Sequence, residues 1–146
     1  MARVKKSGPS TAIFGGTRVP AGNYVIANAL VCDHTITSSD GNSRTFDALF
    51  VEVRYPDVDG KPGQACTNAI MLNGCHKQRV THDHQTVPAC TGTFYDDLRG
   101  RWSGAILDDV VDYINANLVN RGIRIEYSSY INLDGEDGTL THIDFL

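Results

Sequence analysis

The sequence has no lysine after Lys77, although acidic residues continue to its end. Thirteen Lys and Arg against seventeen Asp and Glu leave a formal charge of −4, which disfavours a nucleic-acid surface built on a basic stripe. Also lacking is any apolar run of the roughly 20 residues that a membrane-spanning helix needs. Met1-Ala2-Arg3-Val4-Lys5-Lys6 leads into Ser7-Gly8-Pro9-Ser10, not into the apolar stretch of a signal peptide. The expectation is a cytoplasmic protein, or a virion component if the source is viral, with no membrane partner. Thiols in such a reducing compartment need not pair.

Chemical motifs are equally scarce. There is no Cys-x-x-Cys pair, no paired zinc-protease histidines, no nucleophile elbow and no phosphate loop. No internal repeat or low-complexity stretch breaks the chain. At 146 residues it reads as one domain, 1–146, able to bury a core without covalent staples and preceded by a short basic arm at 1–10.

What is present is mostly strand-forming sequence. Residues 24–36 are rich in Val, Ile, Ala and Leu, 38–43 is a turn, and 45–55 carries Phe46, Leu49, Phe50, Val51 and Val53, which together predict a long hairpin. Pro56 to Gly63 is dense in turn formers. Residues 67–87 predict a third strand or a second hairpin turning at Asn73-Gly74. Ile106, Leu107, Val110, Val111, Ile114 and Leu118 then recur at helical spacing, predicting one amphipathic helix at about 103–121 that stops at Arg121-Gly122. Two alternating segments, ending with Leu140 to Phe145, predict a final hairpin. The order βββαββ implies an α+β domain with a mainly antiparallel sheet or a small barrel, the same order as an OB-fold.

Four cysteines and five histidines form the densest chemical feature. Residues two apart on a strand share a face, so Cys32 with His34 and His82 with His84 offer two ligand pairs to one zinc ion, with Cys75 and Cys90 as alternative ligands. The competing reading makes the cysteines buried apolar groups and the histidines surface ones. A Cys75–Cys90 disulfide is a third reading, open only in an oxidising medium. The acidic loops Asp57-x-Asp59-Gly60 and Asn132-x-Asp134-Gly135-Glu136-Asp137 lack the EF-hand glycine and glutamate positions and read as turns.

No set of residues converges as acid–base or nucleophilic chemistry requires, so no catalytic residue is assigned and no cofactor other than zinc is suggested. Phe94, Tyr95, Arg99, Arg101 and Trp102 combine rings and guanidinium groups as interface hot spots do, although Trp102 at a helix start also suits a core cap, with the arginines paired to Asp96, Asp97 or Asp108. Arg3, Lys5 and Lys6 suit a gripping arm or a solvated tail. These features favour a structural or assembly protein whose partners are subunits of a larger particle, such as a capsid or tail. An OB-like module stacking single-stranded nucleic acid on Tyr24, Phe46, Phe50 and Tyr55 is the first alternative; a zinc-dependent enzyme or zinc-stabilised domain is the second.

Overall fold

In the computed structural model, residues 5–9, 18–38, 40–99, 101 and 107–146 are described, with 5–9, 36, 107 and 108 described by backbone alone. The elements in order are β1 (Lys5–Pro9), β2 (Gly22–Thr37), β3 (Ser43–Arg54), β4 (Ala65–Met71), β5 (Gln78–Val80), β6 (Thr86–Pro88), β7 (Cys90–Thr91), α1 (Thr93–Arg99), α2 (Leu107–Asn117), β8 (Gly122–Ile131) and β9 (Asp137–Phe145).

β2 and β3 are long because β-branched and aromatic residues recur along both, and they pair antiparallel from Val25↔Arg54 to Thr37↔Ser43. Gly41, at φ 86°, closes the connecting turn with its N–H donating to the Ser38 carbonyl at 3.0 Å. The main sheet runs β4-β3-β2-β8-β9-β7, and β1 pairs parallel with β2 at Val31 to Asp33. β7 also lies parallel to β9, while the pairs between them in the sheet are antiparallel. The sheet is therefore mixed and open. Among the described residues the barrel alternative does not form, because β4 and β7 end the order without meeting. β5 and β6 make a separate small hairpin.

One core lies where the helices cover the sheet. A bulge between Ile26 and Asn28 shifts the alternation of β2, so Tyr24 and Ile26 before it and Ala29 and Val31 after it face the same core. Leu49, Val51 and Val53 of β3, Ile123 and Ile125 of β8 and Ile143 of β9 join them. α2 adds Val110, Val111 and Ile114, and Leu118 follows in the turn after it. This helix meets the sequence expectation at its centre; residues 103–106 lie outside the described residues, and 118–120 form a turn rather than a further helical turn. The opposite face of the ribbon holds a second buried cluster of Leu30, Cys32, Ala48, Phe50 and Ala69.

Both acidic loops are turns, as their composition predicts. Asp59 and Gly60 have φ of 52° and 76°, the double positive φ of a tight hairpin turn between Val58 and Lys61. The Asn132 side chain accepts the N–H groups of Asp134 and Glu136 at 2.9 and 3.0 Å, which closes the β8–β9 connection.

Candidate functional site

The two histidine and cysteine pairs lie at opposite ends of the molecule. Cys32 and His34 are on the far half of β2, opposite Ala48 and Phe46. His82 is in the β5–β6 turn, where its N–H donates to the Ile131 carbonyl at 2.9 Å, and Thr81 bridges Asn132. Since β8 meets β2 only at Gly22 to Val25 and runs on away from His34, the strand rise separates the pairs by on the order of 50 Å. The expected joint site of Cys32, His34, His82 and His84 is thus not assembled. Among the described residues no group of three His, Cys, Asp or Glu side chains is gathered as a metal site.

Cys75 and Cys90 do come together. Cys75 belongs to the core and Cys90 packs against it. Burial, with the neighbouring Cys90 adding to it, pushes the Cys75 thiol up to about 12. Burial likewise raises the Cys90 thiol, while a hydrogen bond with Tyr95 opposes the rise. Tyr95 itself is raised well above the usual phenol range by desolvation and by both thiols.

Of the ring and guanidinium group singled out in the sequence, Phe94 and Tyr95 are interior, at 0 and 3% exposure. α1 is a short helix with Phe94, Tyr95 and Leu98 on its buried side, so its rings are core side chains of this chain. Arg99 and Arg101 remain on the surface and are engaged within the chain. Arg99 donates to Asp96 at 2.5 Å and to the Cys90 carbonyl at 2.9 Å. Arg101 lies 3.6 Å from the centre of the Tyr113 ring, whose hydroxyl donates to Asp97 at 2.6 Å. Trp102 and Arg3 lie outside the described residues, and Lys5 and Lys6 are placed by backbone alone beside Val31 and Cys32.

The rings expected to stack nucleobases do not share an open face either. Tyr24 is buried, its hydroxyl donating to the Pro20 carbonyl at 2.7 Å, with Tyr55 against it at 5.4 Å. Phe46 and Phe50 sit on the other face, edge-on to His34 at 5.5 and 6.0 Å.

The feature that sequence reasoning missed is how the β2–β3 ribbon leaves the sheet. On the outer edge of β2, β8 serves Gly22 to Val25, and the turn before β8 serves Ile26, through Asn120 N–H to the Ile26 carbonyl at 2.8 Å and Ile26 N–H to the Arg121 carbonyl at 2.9 Å. At Ala29 the neighbour is a side chain: Asn115 of α2 accepts the Ala29 N–H at 2.8 Å and donates to its carbonyl at 2.9 Å. On the outer edge of β3, β4 ends opposite Phe50, and the Asn73 side chain accepts the Leu49 N–H at 2.7 Å and donates to the Asp47 carbonyl at 3.2 Å. After β1 at Asp33, no third strand flanks residues 35–37 or 43–46 among the described residues. The ribbon carries Arg44 against Phe46 at 5.3 Å, and paired hydroxyls at Thr35/Thr45 and Thr37/Ser43.

A second polar assembly was also missed, for its residues are far apart in sequence. Thr91 Oγ1 lies 2.8 Å from His142 Nδ1, and His142 Nε2 lies 2.8 Å from Asp144 Oδ2. Asp144 Oδ1 accepts the Thr93 N–H at 3.0 Å; that bond and the one to His142 hold its carboxyl below the usual carboxylate range. This relay ties β7, β9 and the start of α1 together.

No protein family, curated protein or solved structure matches the chain. No helix among the described residues is long and apolar enough to cross a membrane.

Proposed function

We propose that the chain is a non-enzymatic assembly protein, a small component of a larger particle such as a virus capsid or tail, acting through protein–protein contacts. The observation that carries this reading is the ribbon of residues 35–46, which runs beyond β1 on one edge and the Asn73 side chain on the other and is flanked by no third strand among the described residues. Strand edges without a third strand present backbone donors and acceptors in a row, and proteins either blunt such edges or use them to add a strand from a neighbour. Here residues 35–37 and 43–46 include no lysine or proline, and their one charge, Arg44, lies over the Phe46 ring. A neighbouring subunit, in the simplest case a second copy, supplies the missing strand, and Phe46, Arg44 and the threonine hydroxyls supply side-chain contacts.

Native mass spectrometry of the full chain across a concentration series tests this. Defined oligomers, or a stoichiometric protein partner, are expected. A monomer at every concentration, with no partner recovered from the source, contradicts the proposal.

A further inference from the structure

The Cys75 and Cys90 thiols flank the β5–β6 hairpin. The hairpin pairs Gln78 with Pro88, and at its base the Ala89 N–H donates to the Lys77 carbonyl at 3.1 Å. Cys75 lies two residues before this base, in the turn at 73–76, and Cys90 follows it directly. Both cysteines pack in one core region, where Tyr95 hydrogen-bonds Cys90 and lines one small cavity with Cys75. A small cavity of about 10 Å³ beside the Cys75 sulfur is lined by Cys75, His76, Tyr95, Leu98 and Arg99.

We propose that Cys75 and Cys90 are a disulfide site, joined by exchange with a low-molecular-weight disulfide such as glutathione disulfide, and that the bond clamps the base of the β5–β6 hairpin. The inference does not rest on the assembly reading. Cys90, the less buried thiol, loses its proton to solvent and attacks one sulfur of glutathione disulfide, expelling a glutathione thiolate. Cys75 loses its proton in turn and attacks the Cys90 sulfur of the mixed disulfide, forming the Sγ–Sγ bond and expelling the second glutathione thiolate. Two protein thiols are oxidised and one glutathione disulfide is reduced to two thiols. Desolvation of both thiols keeps the thiolate fractions small at neutral pH, so the exchange is slow rather than blocked.

The clamp closes a loop around Thr81 to Gln85 and so holds the hairpin against Ile131 and Asn132. Cys66, on β4 near Tyr24 and Tyr127, and Cys32, on the opposite face of β2, belong to other surroundings.

The test is a peptide map of the reduced full chain after incubation with glutathione disulfide, read under non-reducing conditions by mass spectrometry. A Cys75–Cys90 linked peptide is expected, with Tm raised by about 5–10 °C over the reduced chain. Cys75→Ser is expected to stop at the mixed disulfide, with glutathione retained on Cys90. The proposal is overturned if the folded wild-type chain carries glutathione on both cysteines without linking them, leaves both thiols unmodified after prolonged incubation, or links Cys66 instead. The wild-type map decides the matter even if the variant fails to fold.

Discussion

Asn115 of α2 makes both backbone hydrogen bonds of Ala29, accepting its N–H and donating to its carbonyl, in the place where a neighbouring strand would stand. Ala29 is fully buried, so water has no access to replace the lost partner. Asn115→Leu is expected to cost about 2–4 kcal/mol, since two buried backbone groups lose their partners. Asn115→Asp, which keeps the acceptor for the Ala29 N–H, should cost less at low pH than at neutral pH, because the protonated carboxyl also supplies a donor. Urea denaturation of the three chains checks the order.

Gly92 has φ of +107°, and an added Cβ would lie 2.1 Å from the Ile143 carbonyl oxygen. Gly92→Ala is therefore expected to displace β7 from β9 and to destabilise by roughly 3 kcal/mol or more. The same displacement separates Thr91 from His142. Thermal unfolding gives the cost, and the His142 ring signals in an NMR spectrum report the loss of the Thr91 contact.

Two titrations bracket the stability profile. Asp144 is ionised more readily in the folded chain, through the Thr93 N–H first and His142 second. Its contribution is present above the usual carboxylate range and is lost as pH falls through the lowered folded value. Asp144→Asn should remove that part of the acid limb. Cys75 behaves in the opposite sense: its folded thiol is pushed up to about 12, chiefly by burial. The unfolded chain releases this proton near pH 8.5, so its contribution is complete below that pH and falls away between there and about 12. Cys75→Ala should flatten this alkaline decline. Chemical denaturation at a series of pH values measures both limbs.

The long hairpin, the central part of the main helix and the final hairpin were legible because each buries a long periodic face. Val110, Val111, Ile114 and Leu118 keep helical spacing, and β8 and β9 alternate around Ile123, Ile125 and Ile143. α1 was not legible: seven residues give too few turns for a period to show. Nor were β1 and β7, which are short and take their order from parallel partners distant in sequence. Phe94 and Tyr95 looked like surface anchors because composition does not distinguish a hot spot from a core ring. The zinc reading required Cys32 and His82 to meet, and only the direction in which β8 leaves β2 shows that they do not. The roles of Asn73 and Asn115 carry no local signal, since an asparagine that replaces a strand looks like any other until its partner is placed.

A shortened ribbon tests whether the overhang contributes to folding. Replacing residues 36–44 by a two-residue Asn-Gly turn keeps the register of Thr35 with Thr45 and leaves the core residues in place. Stability is expected to change by less than about 1 kcal/mol, while association is weakened at least tenfold. Unfolding midpoints and sedimentation velocity on the same samples separate the two effects.

If a neighbouring subunit completes the edges of residues 35–37 and 43–46, their amides gain partners on association. Hydrogen exchange of their outward-facing amides, followed from dilute to concentrated protein, tests it most directly. Fast exchange is expected in the monomer, with protection that grows in step with association and amides of β8 and β9 unchanged. Association that leaves these ribbon amides exchanging at the monomer rate would contradict it.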